Sequence, residues 1–595
     1  MTQSHSAPAL SAASKTLSPR RHTTEAQSVP ELVNEQLAHF GIKPDSAYGK
    51  ALADTATHLY AAHDSVQQLW QVTRETLDGL DKADKLAYFN AKKFLSFQIA
   101  KVLDTLQNPF RQTWQSLNQD SQQHYPLFDN VPALFSATPA VVKTATYVYA
   151  CTEWVEEAFE GKEATHQIYS RLMNPTNISL ANAIVDLEAG PNAQEYLAWN
   201  FNSGMAAIDA MLSNVLSHGD VLIVSRNVYG GVFQLLHDYF ARENRMAITL
   251  AWFDGYSESE FEAHLESVKT QYADKLAAGA KLHVYIESPC NPHGLVLDVP
   301  AICRRAHAEN ALVMLDSTLA TPVLHKPLQH ADKASRPDYV MHSYTKDICG
   351  TGTTTAGVVI GETHRMFQPK GHATQGVDWS QTLFWDVYYI KGSFLDSEKA
   401  FDVLTGMKTL NHRMLSKVIN TQVFTRFLSS HPNVKVNSHA LPEHPNAGLR
   451  EKMHQHGWPC ALFTAELDIP ELNRVEFARF FDALEPAFGH QISIGQTNTL
   501  ILCPALTSHS ELSREEEEKA GIRLTTVRIA MGSDNVRQLI AHFVLALKHA
   551  IDPIVPGFSE QFMSADELDT FYFNTVETVH RQQAGSQPSL VELLS

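Results

Sequence analysis

Cysteine is scarce in this chain, and long apolar runs and an excess of basic residues are missing. Its 595 residues include six cysteines, and the absence of a C-x-x-C pair favours a reducing compartment over a disulfide-stapled fold. No uninterrupted run of about 18 apolar residues occurs, which argues against a membrane-spanning helix. Acidic residues outnumber basic ones by 65 to 47, whereas binding to a phosphate backbone needs clustered Lys and Arg. We therefore expect neither a nucleic-acid-binding protein nor a membrane protein.

Metal-binding motifs are also missing. The 29 histidines form no H-E-x-x-H motif and no His tract, so no metal site is expected. The composition is otherwise that of a globular protein, with 44% hydrophobic and 19% charged residues. At roughly 100–200 residues per domain, the length predicts several domains. These features together are typical of a cytoplasmic enzyme.

The N-terminal part of the chain carries no catalytic constellation. Residues 1–29 are rich in Ser, Ala, Thr and Pro, and their basic, acid-poor character fits either a disordered tail or an organelle transit peptide. We interpret them as a disordered tail. Over 30–160 the pattern is helical, because Leu95, Ile99 and Val102 recur at the spacing of one helix face. This helical extension is a candidate assembly or partner-binding region.

Short apolar runs alternate with helical stretches over 161–400. The runs that predict buried strands are DVLIVS (220–225), KLHVYIES (281–288), ALVMLDS (311–317), YVMHS (339–343) and TAGVVIG (355–361). Strand and helix in alternation predict an α/β fold whose mainly parallel sheet is covered on both faces. After this α/β domain, we predict an α+β domain over 401–557 and a C-terminal extension over 558–595.

Polar residues collect at the ends of the predicted strands, where ligands bind in such sheets. Lys346 follows one strand, and a desolvated lysine can act as an amine nucleophile. Asp316 ends another, and an aspartate can keep the pyridine nitrogen of pyridoxal phosphate protonated. The pair Ser203-Gly204 opens a predicted helix whose N-terminus can cradle a phosphate, and Tyr229 can lie flat on a cofactor ring. Together these elements predict a pyridoxal-phosphate site.

Several longer motifs follow one another in a characteristic order and spacing. They are YSRLMNPT (169–176), SGMAAI (203–208), VYGG (228–231), ESPCNP (287–292), LDSTLATP (315–322), HSYTK (342–346), GMKTLNHRM (406–414), SIGQTNTLILCPALTSHSEL (493–512) and AGIRLTTVRIAMG (520–532). On these motifs the stretch 165–550 resembles the Cys/Met-metabolism family of pyridoxal-phosphate enzymes. This fold-type I group includes cystathionine synthases and lyases, methionine γ-lyase and O-acylhomoserine sulfhydrylases.

The resemblance implies a role for each matched residue. Lys346 would bind pyridoxal 5′-phosphate covalently and move protons between substrate carbons, Asp316 would contact the pyridine nitrogen, and Tyr229 would stack on the ring and assist the leaving group. The other implied cofactor ligands are Gly204, Met205, Ser343 and Thr345 at the phosphate and Asn291 at the ring hydroxyl. The implied substrate ligands are Ser493 and Arg528 at the α-carboxylate, with Asn498 beyond them.

Two further matched residues imply an oligomer. In this family the Tyr and Arg of the Y-S-R motif, here Tyr169 and Arg171, reach the phosphate of a neighbouring subunit. The active site would then be complete only between subunits. The resemblance implies a homotetramer built from dimers with shared active sites.

Departures from the family pattern bear on specificity. Many γ-acting members carry a Glu where this chain has Asn498, which puts in doubt an ammonium contact to a cysteine substrate. Methionine γ-lyases typically carry a Cys where this chain has Gly231. Where the family usually has a Lys followed by a Tyr, this chain has Lys346 followed by Asp347.

The reaction first predicted is γ-replacement on an O-acylhomoserine-type substrate with a thiol, as in cystathionine γ-synthase and transsulfuration. The alternative is γ-elimination of the methionine or cystathionine γ-lyase kind, which gives 2-oxobutyrate, ammonia and a thiol. A non-catalytic assembly protein with this fold is a third reading. The joint presence of Lys346, Asp316, Tyr229, Arg171 and Arg528 argues against that third reading.

Overall fold

The computed structural model of the chain divides into two units. One comprises Met1–Ala140 and Tyr147–Ile168, and the other comprises Val141–Thr146 and Tyr169–Ser595. The residues that the structure describes are 26–117, 136–147, 152–160, 168–504 and 523–594. Most of the expected disordered tail therefore lies outside the described residues.

The smaller unit is helical where it is described. Its helices are α1 (Val29–His39), α2 (Ala47–Thr76), α3 (Lys82–Leu117) and α4 (Thr152–Phe159). Helix α1 packs on α2 through a small apolar core that includes Leu32 and Val33, and Gln36 donates a hydrogen bond of 2.7 Å to the Tyr60 hydroxyl. Ile99 and Val102 lie on α3 with exposed side chains.

A mainly parallel sheet organises the larger unit, as the alternation of strands and helices predicts. Its strands among the described residues are β1 (Tyr196–Phe201), β2 (Val221–Ser225), β3 (Thr249–Phe253), β4 (Leu282–Glu287), β5 (Leu312–Asp316), β6 (Tyr339–His342) and β7 (Gly357–Glu362). Their spatial order is β1-β7-β6-β5-β4-β2-β3. Strand β7 runs antiparallel to both of its neighbours, and the other pairs are parallel. The α/β prediction is confirmed.

The continuous apolar runs of these strands are explained by burial on both faces. Successive side chains of a strand point to opposite faces of the sheet. On β2, Val221 and Ile223 join one apolar core, whereas Leu222 and Val224 join the other. Both faces are therefore covered, and polar side chains are accommodated at the strand ends.

Helices cover the sheet and connect its strands. Those of eight or more residues in the described part of this unit are α5 (Pro175–Ala189), α6 (Gly204–Val215), α7 (Glu258–Gln271), α8 (Val299–Ala308), α9 (Ser397–Met407), α10 (Leu410–Ser429), α11 (Arg474–Asp482), α12 (Val536–Ala550) and α13 (Ala565–Gly585). Shorter helices are Gly230–Gln234, Ala273–Ala277, Thr321–Leu324, Thr363–Met366, Tyr389–Lys391, Ala447–Met453 and Leu590–Leu594. No helix of the described residues is both long and apolar enough to cross a membrane.

The C-terminal part contains a second sheet. After the short hairpin of β8 (Ala373–Thr374) and β9 (Val377–Asp378), its strands are β10 (Val434–Asn437), β11 (Leu462–Leu467), β12 (Gly489–His490), β13 (Leu500–Leu502) and β14 (Thr526–Ala530). Their spatial order is β10-β11-β14-β13-β12. Helix α13, in the segment expected as an extension, buries Val579 in the core, and its Gln582 accepts a hydrogen bond of 2.7 Å from Trp458 Nε1.

Candidate active site

The carboxyl ends of neighbouring strands bring the candidate chemical groups together. Asp316 ends β5 and Glu287 ends β4, and the two are direct partners in the parallel register. Lys346 follows β6, the next strand of the sheet. The three side chains thus share one edge of the sheet, where α/β proteins bind ligands.

The Lys346 amine is buried and held by one hydroxyl. Its Nζ donates a hydrogen bond of 3.0 Å to Ser493 Oγ. Burial and the nearby Arg528 charge lower the pKa of Lys346 to about 8, against the opposing effect of the Asp347 and Asp316 carboxylates. A lysine with this pKa has a substantial neutral fraction near neutral pH, which is the nucleophilic form.

The Asp316 side chain is buried and has few hydrogen-bond partners among the described residues. The Thr318 backbone N–H donates a hydrogen bond of 3.0 Å to Asp316 Oδ1. Burial raises the pKa of Asp316, and hydrogen bonding from Thr318 and the charges of His342 and Lys346 oppose that rise. A further cation against this carboxylate would keep it ionised.

The first turn of α6 forms a cradle against Ser343. A Cβ atom at Gly204 would fall 2.8 Å from both Cβ and Oγ of Ser343, so glycine is required for this approach. The N-terminus of α6, capped by the Ser203 side chain, carries the partial positive charge that attracts anions. Met205 follows Gly204 at the same helix end. This arrangement suits a phosphate group.

Two hydroxyls beside this cradle have backbone partners already. Thr345 Oγ1 donates to the Ala356 carbonyl at 3.2 Å and accepts from the Ala356 N–H at 3.0 Å. Thr318 Oγ1, which sequence reasoning missed, accepts the Ser343 N–H at 2.9 Å. Thr345 and Thr318 therefore position the segment that carries Ser343.

Glu287, in the ESPCNP motif, connects two predicted site residues. Its Oε2 accepts the Tyr229 backbone N–H at 2.6 Å, and its Oε1 accepts the Asn291 backbone N–H at 2.9 Å. Burial and the Asp316 carboxylate raise the pKa of Glu287 well above its usual range. The Tyr229 side chain is 45% exposed, so its ring lies at the open side of the site. The available signal in the sequence was the position of Glu287 at the end of a predicted strand.

Arg528, on β14, completes the group around Lys346. Its Nη2 donates to the Ser493 carbonyl at 2.8 Å, and its Nη1 donates to Asn291 Oδ1 at 3.2 Å. Its Nε is buried without a hydrogen-bond partner among the described residues. Burial lowers the pKa of Arg528 to about 10, which leaves the guanidinium charged at neutral pH. A carboxylate ligand would suit this donor set.

Asn498 is less closely tied to the site. It is half-buried, and its amide lies beside Gly489 of β12. No hydrogen bond of the described residues joins Asn498 to Lys346, Ser493 or Arg528. Asn498 nevertheless lies in the same loop as Ser493, between β12 and β13, so this loop also contacts the reacting amine.

Tyr169 and Arg171 form a separate, outward group. The Arg171 guanidinium lies 5.4 Å from the centre of the Tyr169 ring, and its Nη1 donates to the Tyr389 carbonyl at 2.7 Å. The Tyr169 side chain is 42% exposed. Tyr389, which sequence reasoning missed, therefore fixes Arg171 in a position that presents the pair outward.

A buried ion pair lies directly behind Lys346. Lys417 Nζ, on α10, lies 2.5 Å from Asp347 Oδ1, and the Lys417 side chain is only 1% exposed. Arg413, on the same helix, donates to the backbone carbonyls of Asp347 at 2.5 Å and of Gly406 at 2.9 Å. These contacts hold the turn that carries Lys346, and sequence motifs alone did not indicate them.

The residues present fit pyridoxal phosphate. The cradle at Gly204 suits the phosphate, the buried Asp316 suits a protonated ring nitrogen, and the Lys346 amine lies at the same strand ends. The unsatisfied Arg528 Nε and its charge suit the carboxylate of an amino-acid substrate.

Several known proteins are similar to this chain over about seven-tenths of its length. An L-methionine gamma-lyase of Pseudomonas deceptionensis is 30% identical over 71% of this chain and 95% of that protein. An O-acetyl-L-homoserine sulfhydrylase of Leptospira meyeri is 28% identical over 70% of this chain and 94% of that protein. A crystal structure of cystathionine gamma synthase from Xanthomonas oryzae pv. oryzae, in complex with aminoacrylate and cysteine, matches with a TM-score of 0.57 and 26% identity. That match covers 69% of this chain and 93% of the other.

The family model for Cys/Met metabolism PLP-dependent enzymes matches residues 129–548, which is well over half of the chain. Together with the fold and the site geometry, this match shows that the chain belongs to the Cys/Met metabolism PLP-dependent enzymes, with their fold-type I architecture and their pyridoxal-phosphate cofactor.

Proposed function

We propose that this enzyme catalyses γ-replacement, in which a thiol displaces the γ substituent of an O-acylhomoserine-type amino acid. The observation that favours replacement is the packing at Gly231. A Cβ there would fall 2.7 Å from Tyr229 Cε1 and 3.1 Å from Met205 Sδ. The Cys that methionine γ-lyases typically carry at this position would have to displace the Tyr229 ring. The packing of Gly231 against the Tyr229 ring supports the glycine-bearing γ-synthases over the methionine γ-lyases.

Substrate binding is assigned to Arg528 and Ser493. The Arg528 guanidinium would form a two-pronged pair with the substrate α-carboxylate. Because the Ser493 carbonyl already orients the guanidinium and the Ser493 hydroxyl touches Lys346 Nζ, the same loop places the substrate Cα beside the amine. Lys346 would then remove the proton from Cα, pass it on to the cofactor, and as a neutral amine again remove a second proton from Cβ.

The remaining roles are those that the family resemblance implies, and the positions of the side chains are compatible with them. When bound, pyridoxal phosphate supplies an electron sink for the negative charge that develops on the substrate. Asp316 would keep the ring nitrogen protonated, and Gly204, Met205 and Ser343 would hold the phosphate. Tyr229 would stack on the ring and donate a proton to the departing γ substituent. Its exposed face leaves room for the incoming thiol.

A second candidate is γ-elimination, favoured by the chemistry at Asn498. A second amino acid that brings the thiol has an ammonium group, and the amide of Asn498 lacks the charge that would hold it. Without a bound thiol, water would release 2-oxobutyrate and ammonia. Sulfide has no ammonium group, so its binding as the acceptor is not weakened by the uncharged Asn498.

The distinguishing assay supplies an O-acylhomoserine to the cofactor-loaded enzyme alone, with cysteine, and with sulfide. Mass spectrometry follows 2-oxobutyrate and the thioether or thiol product. Replacement predicts that the thiol product forms and that 2-oxobutyrate falls as the acceptor rises. Production of 2-oxobutyrate that neither acceptor lowers would instead identify a γ-lyase. Lys346→Ala is the control, because it removes the amine that both reactions need.

A further inference from the structure

Glu287 is a buried carboxylate whose two oxygens bind two different segments of the site. Oε2 accepts the N–H of Tyr229 at 2.6 Å, and Oε1 accepts the N–H of Asn291 at 2.9 Å. Tyr229 follows β2 and Asn291 follows β4, so the carboxylate joins two loops that leave different strands.

The base of Glu287 is itself fixed to the sheet. Its backbone N–H donates to Ser225 Oγ at 3.1 Å, and the next residue, Ser288, donates its N–H to the Asp316 carbonyl at 3.1 Å. Glu287 is thereby tied to β2 and its neighbour to β5. Because these hydrogen bonds fix the backbone at Glu287, its carboxyl group has a defined position from which to hold both loops.

Among the described residues, no cationic side chain stabilises an ionised Glu287, in agreement with its raised pKa. Its hydrogen-bond partners are backbone N–H groups, and it lies in register with a second carboxylate, Asp316. Two like charges at adjacent buried strand ends are costly. An apolar residue would avoid this cost but would leave the Tyr229 and Asn291 N–H groups without the two oxygens that accept them.

We propose that Glu287 is a positioning residue that sets the Tyr229 ring and the Asn291 amide against the cofactor by accepting their two backbone N–H groups. The inference rests on the role proposed above for Tyr229 and on the contact to the ring hydroxyl that the family resemblance implies for Asn291. Glu287 acts through these residues and contacts neither the substrate nor the reacting atoms.

The first test is Glu287→Gln, which keeps the size of the side chain. Its single carbonyl oxygen can accept one N–H, while its NH₂ group faces the other donor. The loop that loses its acceptor then moves its Tyr229 or Asn291 side chain away from the cofactor, and we expect the dissociation constant for pyridoxal phosphate to rise about tenfold. Titration of the cofactor-free protein, followed by fluorescence and by circular dichroism of the bound cofactor, measures the change without reference to any substrate.

A double-mutant cycle separates positioning from a general loss of stability. In the Tyr229→Ala/Asn291→Ala background, Glu287→Gln should change cofactor affinity by less than about twofold, because the groups it positions are absent. Combined with Tyr169→Phe, a residue that Glu287 does not contact among the described residues, its effect should stay at about tenfold. Glu287→Asp, which keeps both oxygens but shortens their reach, provides the same cycle if Glu287→Gln fails to fold.

The outcomes distinguish the inference from the roles on which it rests. If the effect of Glu287→Gln on affinity is the same in every background, the residue is merely structural and the inference is overturned. If Tyr229→Ala and Asn291→Ala leave the affinity and the dichroic band unchanged, their own roles fail and the inference falls with them. Coupling confined to the Tyr229 and Asn291 backgrounds supports it.

Discussion

At the scale of single residues, the Lys346 amine lies under opposing electrostatic influences. Arg528 and burial favour its neutral form, whereas Asp316 and Asp347 favour the protonated form. The pKa of Lys346 is lowered overall, because desolvation by itself can lower a lysine pKa by several units. The amine is therefore prepared for covalent chemistry before any substrate binds.

The pH dependence of this amine is a direct prediction. In cofactor-free protein, acylation of Lys346 should increase through a midpoint near pH 8, because the protonated form below that pKa is unreactive. Peptide mass spectrometry after brief labelling at a series of pH values gives the midpoint for each lysine.

The matched variant is Arg528→Gln. It removes the positive charge that lowers the Lys346 pKa, so the midpoint should move upward. A midpoint that begins near 10 in the unaltered protein, or that does not respond to Arg528→Gln, would show that Arg528 does not set this pKa.

At the scale of elements, the first turn of α6 depends on close contact with the strand end beside it. The contact with Ser343 places the helix N-terminus against the segment that follows β6. A helix end attracts an anion only within its first turn, so a small displacement matters for binding.

Gly204→Ala should weaken cofactor binding by about tenfold or more, because the new Cβ forces the helix end away from Ser343. The control is Gly448→Ala, where a helical glycine has open space around its Cβ position. Cofactor titration of both variants is the measurement. Equal affinities would show that the cradle does not bind the phosphate.

Helix α10 supports the turn that carries Lys346 through charge. Lys417→Met leaves the Asp347 carboxylate buried without its partner, and we expect the free energy of unfolding to fall by about 3–5 kcal/mol. The double variant Lys417→Met/Asp347→Asn should recover most of that loss, because both charges are gone. Urea unfolding of the three proteins tests this, and a double variant no better than Lys417→Met would contradict it.

Another element shows where periodicity was insufficient. The run GVFQLLHDYF predicts one helix, whereas the structure has an α-helix over Gly230–Gln234 that continues as a π-helix over Leu235–Phe240. Val232, Leu236 and Phe240 are all buried at four-residue spacing. The wider turn of the π-helix keeps these three residues on the face that contacts the core. Packing against the core therefore decides between an α-helix and a π-helix over Leu235–Phe240.

At the scale of the whole molecule, the outward position of Tyr169 and Arg171 supports an active site shared between subunits. We expect two inactive variants, Arg171→Ala and Lys346→Ala, to restore activity when they are unfolded and refolded together. In a hybrid dimer, one site has both an intact Lys346 and an intact Arg171 from the other subunit. Random pairing then predicts about a quarter of the wild-type activity.

The separately refolded variants are the control for this experiment. Native mass spectrometry of the same samples reports the subunit number and the fraction of hybrids. Hybrids that form without regaining activity would show that Arg171 serves the site of its own chain, and a monomer would overturn the proposed tetramer.

The sequence by itself determined the class of the sheet, the strand ends that carry Lys346 and Asp316, and the cofactor. These follow from local patterns, since buried parallel strands are continuous apolar runs and the motifs lie within short segments. Only the tertiary structure decided that Glu287 joins Tyr229 to Asn291 and that Lys417 neutralises Asp347 from 70 residues away. A buried carboxylate or lysine looks like any other in the sequence. Its partner is decided by which loops the packed sheet brings within hydrogen-bonding distance, because the cost of burial is offset only there.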